Sequence, residues 1–362
     1  MGAMVLPAVA VLSAVLAAPG ERPFRLGVTP FPYDATLAAL ADTSRFVRDN
    51  TDLIVAHLEG VPWPEALKGE PFHPDLMSDW ARYREGKPAD MPLYLAVSPV
   101  NLGRADLAEY RGAREGLPVP EPLAGKSFDD PLVIKAYTDY VRRAVEYFRP
   151  SYLAIGVETN ELFHNARPKW EGYVRLHREV REAIKRDHPN LPVFATFTLH
   201  NMRNPAWADR EEMLAAWKDL MPYNDVVAIS YYPFMSPLSG RVTESLAWVK
   251  QEFASFGKPF AVGEMGEIAE PLTLTQPAVT LPGDPETQRK VLEQVLTWAQ
   301  AERAEFVVWY VSRDYDALWE KLKATSPEWF KVWKDCGLLD GEGQPRPAFQ
   351  VWRQSYLLPY RR

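Results

Sequence analysis

A single (β/α)8 barrel of the α/β class, with long βα loops, is the fold the sequence predicts, and three observations predict it. Short apolar runs alternate with amphipathic segments from residue 24 to the C-terminus, there are eight such runs, and no glycine-rich turn follows the first. Regular alternation points to parallel strands joined by crossover helices. Eight repeats favour closure into a barrel. The missing glycine-rich turn argues against the alternative, a doubly wound open sheet.

The elements follow in order. FRLGVTPF (24–31) reads as the first strand and ATLAALADTSRFVRDN (35–50) as its helix. DLIVAHL (52–58) is the second strand, with a helix at PDLMSDWARYREG (74–86). MPLYLAVSP (91–99) is the third, followed by a long connection whose Pro-rich part, 117–131, reads as a surface loop, and by the helix PLVIKAYTDYVRRAVEYF (131–148). SYLAIGVE (151–158) and LPVFATFTL (191–199) are the fourth and fifth strands, with helices at 170–187 and 210–220. DVVAISYYP (225–233), KPFAVGEMG (258–266) and AEFVVWYV (304–311) complete the eight, with helices at 242–256, 285–302 and 347–358. Period-2 runs of β-branched and aromatic residues support the strands, and 3.6-residue apolar spacing supports the helices.

The 47% hydrophobic and 25% charged content suits a large buried core. A net charge of −7 argues against a nucleic-acid partner, because binding through phosphates needs a basic surface. The one cysteine, Cys336, excludes an internal disulfide and a cysteine-rich metal site. Residues 1–18 read as an export signal with cleavage near Ala17, although no Lys or Arg precedes the apolar stretch Val5–Leu16. The alternative is an apolar N-terminal helix or uncleaved anchor. The barrel domain then spans 22–362, and a secreted or periplasmic monomer without a membrane span is expected.

Barrels of this kind place their active sites at the C-terminal strand ends. Those ends present Tyr33 and Asp34, then His57, Glu59 and Trp63, then Ser98 and Asn101, then Glu158, Asn160 and Glu161. His200 and Asn201, Tyr231 and Tyr232, Glu264 and Glu267, and Trp309, Arg313 and Asp314 follow. Carboxylates, amides and flat rings together suit an uncharged, polyhydroxylated ligand. No His-x-His pair follows the first strand, and no serine sits in a Gly-x-Ser-x-Gly elbow, so neither metal-dependent nor serine hydrolysis is expected. No cofactor and no metal are expected.

Glu158 and Glu264 end opposite strands, where two carboxylates can face one bond, as retaining glycoside hydrolysis requires. Strand alternation selects between neighbours. Ala154, Gly156 and Glu158 would point inward, with Leu153, Ile155 and Val157 on the helices. Glu161 has the opposite parity. Glu264 shares a face with Val262 and Phe260, leaving Ala261 and Gly263 toward the helices. Glu267 reads as a rim residue.

These segments resemble the clan A retaining barrel glycoside hydrolases, and most of all family 53, the arabinogalactan endo-β-1,4-galactanases. DVVAISYYPF (225–234) resembles that family's sixth strand, PSYLAIGVETN (150–160) its fourth and FAVGEMG (260–266) its seventh. GLLDGEGQPRPAFQVW (337–352) resembles the closing stretch of clan A chains. The resemblance implies an acid/base at Glu158, a nucleophile at Glu264 and a β-linked oligo- or polysaccharide substrate. The clan places Asn directly before the acid/base, and Val157 stands there in this chain. Asn160-Glu161 spells the pair, which keeps Glu161 as second candidate, and Asn160 could supply the amide.

In that scheme Tyr231 or Tyr232 positions Glu264, and Trp309 floors the sugar site. Trp63 is a platform at a neighbouring subsite, and His57 and His200 bind hydroxyls. The rival reading is a carbohydrate-binding barrel without catalysis.

Overall fold

The computed structural model describes residues 20–362 apart from 86, 87, 207, 208, 238 and 277. The leader expected at 1–18 lies outside the described residues. The apolar runs form β1 (Arg25–Val28), β2 (Ile54–Leu58), β3 (Leu93–Val97), β4 (Tyr152–Ala154), β5 (Val193–Phe194), β6 (Thr196–Thr198), β7 (Val227–Tyr231) and β8 (Phe260–Met265). A hairpin of β9 (Leu272–Thr275) and β10 (Ala278–Leu281) then precedes β11 (Phe306–Trp309).

β2, β3, β4 and β5 pair in that order, and so do β6, β7, β8, β11 and β1, always in parallel. Two joints connect these arcs. β5 and β6 are one strand interrupted at Ala195, and Gly27 of β1 bridges Leu53 just before β2. The eight expected strands are therefore the eight staves of a barrel. Gly27 sits at a tight joint, since a Cβ there would lie 2.9 Å from Val55 Cγ2.

Side chains of alternating parity separate two cores. Val55, Tyr94, Ala96, Tyr152, Ala154, Phe194, Ala228, Ala261, Phe306 and Val308 fill the inside of the barrel. Tyr94 packs on Phe194 and Phe306 with ring centroids 5.9 and 4.8 Å apart, so the lower interior is solid. Leu26, Ile54, Leu95, Leu153, Val193, Ile229, Val262 and Val307 face outward and join the helices. This is the layered packing that lets a barrel be a core and not a pore.

Aspartate caps start two of the crossover helices. Asp130 accepts from the Leu132 amide at the helix Pro131–Phe148, and Asp284 accepts from Glu286 and Thr287 at Pro285–Ala301, each with proline in the first turn. No described helix is long and apolar enough to cross a membrane.

Candidate active site

Glu264 reaches the barrel mouth through a β-bulge. Along β7 and β8, Ile229 pairs with Val262 but Ser230 pairs with Glu264, so Gly263 is an extra residue. The bulge reverses the expected alternation: Ala261 lies inside the barrel, Phe260 and Val262 pack on the helices, and Glu264 still turns inward. Residue 263 is closely packed: a Cβ there would lie 3.0 Å from Thr196 Cγ2 and 3.2 Å from the Tyr94 hydroxyl.

Three groups hold the Glu264 carboxylate. The Tyr232 hydroxyl donates to Oε1 at 2.5 Å, and Thr29 Oγ1 donates to Oε2 at 3.2 Å. His57 Nδ1 lies 3.8 Å from Oε2, an ion-pair distance. Burial alone would raise this carboxyl, but His57, Tyr232 and Thr29 outweigh it and lower its pKa. Burial likewise disfavours the charged form of His57, yet Glu264 and Glu59 prevail and raise it. Glu264 is thus kept as a carboxylate beside an imidazole biased toward its cation.

Glu158 arrives by a different irregularity. β4 ends at Ala154, and the chain bends through 155–158 around Thr196. Thr196 donates its amide to Gly156 O at 3.0 Å, and its Oγ1 accepts the Glu158 amide at 2.9 Å. Val157 consequently joins the barrel interior, against the expected parity, and lines a small void with His57, Tyr94 and Glu264. Gly156 faces outward, where a Cβ would meet the Tyr173 hydroxyl at 2.3 Å. Glu158 itself has φ 54, a left-handed conformation that costs a non-glycine residue about 1–3 kcal/mol.

Arg104 meets it from the third βα loop. Its Nη2 donates to Glu158 Oε2 at 2.9 Å, and Arg104 is also left-handed, with φ 51. Two strained residues thus hold one another by a charged hydrogen bond. The charges of Glu264 and Glu158 both reach the hydroxyls of Tyr94 and Tyr232, which burial first, and these charges next, push upward. Both carboxylates therefore lie within electrostatic reach of the same two tyrosines.

The other expected site residues divide. Tyr232 and His57 touch Glu264. His200 stands behind Tyr232: its Nδ1 accepts the Tyr232 amide at 3.3 Å, and burial lowers its pKa to about 3, so it positions the tyrosine as a neutral ring. Tyr231 points outward into the helix-side core. Asn160 is buried and its amide is used within the fold, with Oδ1 accepting the Thr198 amide at 2.8 Å and Nδ2 donating to Thr198 Oγ1 at 3.0 Å. Trp63 is fully buried, with Nε1 bonded to Ala108 O at 2.8 Å, and lies away from the mouth.

Trp309 is likewise fully buried. It shares the outward parity of Val307 and bonds Cys336 O at 2.9 Å, so it does not floor the site. Tyr310, the next residue, packs edge-on against Tyr232 at 6.0 Å. Trp333 lies 4.7 Å from the Tyr232 ring and 5.2 Å from Tyr310. Thr29, Arg104, Tyr310 and Trp333 all escaped the strand-end reading. Parity along β11 points to Tyr310, but Arg104 and Trp333 come from long loops with no periodic signal.

Glu161 lies in the first turn of the short helix Asn160–Asn165. Thr198 Oγ1 and Asn201 Nδ2 donate to its Oε1 at 2.6 and 2.5 Å, yet burial raises its pKa to about 7. A cleft of about 440 Å³ opens beside His57 and Glu59 and runs between Phe31, Trp80, Tyr83 and Leu102. His57 and Glu59 line it, and neither Glu158 nor Glu264 does.

Glu267 is buried and not at the rim; burial raises its pKa to about 8 from 4.5, and Oε2 has no partner. The folded chain keeps a proton that the unfolded chain releases, so stability falls as pH climbs through that window. Glu267→Gln is expected to flatten this loss by roughly 2–4 kcal/mol between pH 5 and pH 9 in denaturant titrations. Equal slopes for both proteins would contradict the buried, protonated state.

No family model and no curated protein matches the sequence. Solved structures do match in fold. GH5_18 from Streptomyces cattleya, in complex with Manβ1-4GlcNAc, aligns over 92% of this chain and 80% of its own, with TM-score 0.65 and 15% identity. The GH53 catalytic domain of Ignisphaera aggregans aligns over 96% and 98%, with TM-score 0.53 and 14% identity. Xylanase 10B from Thermotoga maritima aligns over 92% and 95%, with TM-score 0.58 and 12% identity. The chain thus has the fold of these barrel glycoside hydrolases, with family 53 among several neighbours.

Proposed function

We propose that this protein is a retaining glycoside hydrolase acting on a β-linked oligo- or polysaccharide. One observation carries the reading. Glu264 is held as a carboxylate by Tyr232, Thr29 and His57 at the end of β8, while Glu158 follows β4 and is held by Arg104. A lowered pKa suits a nucleophile, which must attack as the anion. Glu264 attacks the anomeric carbon, and the C1–O bond breaks as Glu158 protonates the leaving oxygen. Glu158 then takes a proton from water, which displaces Glu264 from the sugar. The barrel neighbours support the class of reaction, and the leader at 1–18 is consistent with an extracellular glycan.

Two observations favour variants of this scheme. Arg104 bonds Glu158, and a general acid must shed such a partner or exchange it when substrate enters. Glu161, with a pKa of about 7, already carries a proton near neutrality and is the second candidate for the acid. If neither glutamate delivers a proton, the site is a glycan-binding barrel without turnover, a reading that Val157 under the mouth also supports.

The test is a panel of activated aryl β-glycosides and β-1,4-linked polysaccharides, with NMR of the first product. Hydrolysis with the β-anomer formed first is the expected result. An α-anomer formed first would overturn retention. Binding without product would select the non-catalytic barrel.

A further inference from the structure

The loop after β11 leaves aromatic rings in water near the candidate site. In the 3₁₀ segment Glu328–Trp333, Trp329 is 50% exposed and Phe330 39%. Their rings stack with centroids 4.3 Å apart and planes 16° apart, so the stack offers a ligand only its outer ring faces. The segment is pinned: the Thr275 amide and hydroxyl both donate to Glu328 Oε2, tying it to the β9–β10 hairpin. Its far end is Trp333, the ring that packs on Tyr232. A 3₁₀ segment rises about 2 Å per residue, so the exposed pair stands about 6–8 Å along the axis from Trp333.

A groove of about 790 Å³ lies beside this segment, lined by Phe234, Met235, Val279, Leu281, Thr287 and Val332. It begins two residues beyond Tyr232 and includes Val332, next to Trp333.

We propose that Trp329 and Phe330 form an outer stacking platform for a glycan chain lying along this groove, which makes the substrate several sugars long. This rests on the glycosidase reading of the mouth. Flat rings in water pair with the apolar faces of pyranose rings, and the rim supplies hydroxyls for the sugar edges. A lipid surface fits less well, because the neighbouring lysines are neutralised: Lys331 pairs with Glu328 and Lys323 with Glu320. The segment that carries Trp329 also carries Trp333, which packs on Tyr232, so the platform is tied to the candidate centre.

The probes are β-1,4-linked galactan, mannan, xylan and glucan oligosaccharides of two to six units. Binding is measured by calorimetry on the full chain carrying Glu264→Gln. For the sugar recognised, affinity should rise about tenfold from two to five units, the order of one good ring contact. Adding Trp329→Ala and Phe330→Ala should abolish that rise, and both rings are exposed enough for the fold to tolerate their loss.

An unchanged rise in the double variant would overturn the platform. So would binding of no oligosaccharide, or Trp329-dependent binding to phospholipid vesicles, or Trp329-dependent dimerisation in ultracentrifugation. Aryl glycoside turnover by the wild type is read separately. Turnover without a length effect refutes the platform alone, and its absence refutes the catalytic reading while the binding series still decides the platform.

Discussion

Glu264→Ala lowers turnover of an activated aryl β-glycoside by at least about 10⁴-fold, the scale on which removing a nucleophile acts. The expectation follows from geometry. Glu264 receives Tyr232, Thr29 and the His57 ring together, and among the described residues no other carboxylate at the mouth is held that way. Glu158→Ala falls steeply too, but azide, which needs no general base, restores its turnover and gives a glycosyl azide of retained configuration. An azide product from the Glu264 variant would instead be inverted. Glu161→Ala completes the set. Should azide rescue that variant and not Glu158→Ala, the acid is Glu161, and its pKa of about 7 becomes the relevant one. Full activity in Glu264→Ala would sink the assignment.

Tyr232→Phe separates positioning from chemistry. The lost hydroxyl donates to Glu264 Oε1 at 2.5 Å and helps to hold the carboxyl low. Hydrogen bonds to charged groups are worth about 1.5–3 kcal/mol, or about one to two pH units. Without the donor the Glu264 pKa rises, so the group protonates earlier as the medium acidifies. The acid limb of kcat/KM should therefore move up by about one to two pH units. A purely structural tyrosine would lower activity at every pH and leave the limb in place. The ring also packs on Trp333 and Tyr310, so phenylalanine keeps the shape and removes only the donor.

Periodicity carried the fold. The helices expected at 131–148 and 170–187 match Pro131–Phe148 and Trp170–Asp187, because their apolar spacing is a strong local signal, reinforced at the first by the Asp130 cap. The hairpin at 272–281 and the 3₁₀ segment at 328–333 were not legible, since short loop elements owe their form to neighbours. At the site, alternation failed where the backbone is irregular. The bend at 155–158 put Val157 inside and Gly156 outside, and the bulge at Gly263 inverted β8. Each error left the glutamate itself on the mouth side. Asn160 and Trp63 were misplaced for another reason. Their residue types suit a sugar, but Thr198 and Ala108 satisfy them within the fold, and no local pattern announces those partners. Arg104 reaches Glu158 across 54 residues of sequence, a proximity that the parallel pairing of β3 with β4 creates.

The extra residue at 263 also bears on how this chain can change. Were β8 to pair without the bulge, with Gly263 opposite Ser230, Glu264 would turn to the helix layer and Met265 into the mouth. Losing residue 263 altogether would instead leave Glu264 next to Val262 and still opposite Ser230, so a one-residue deletion keeps the carboxylate at the mouth. The compartment of this side chain is therefore set by the register of β8 and not by its length. A chain shortened by that one residue should keep Glu264 facing Tyr232, whereas a slip in pairing would remove it from the mouth.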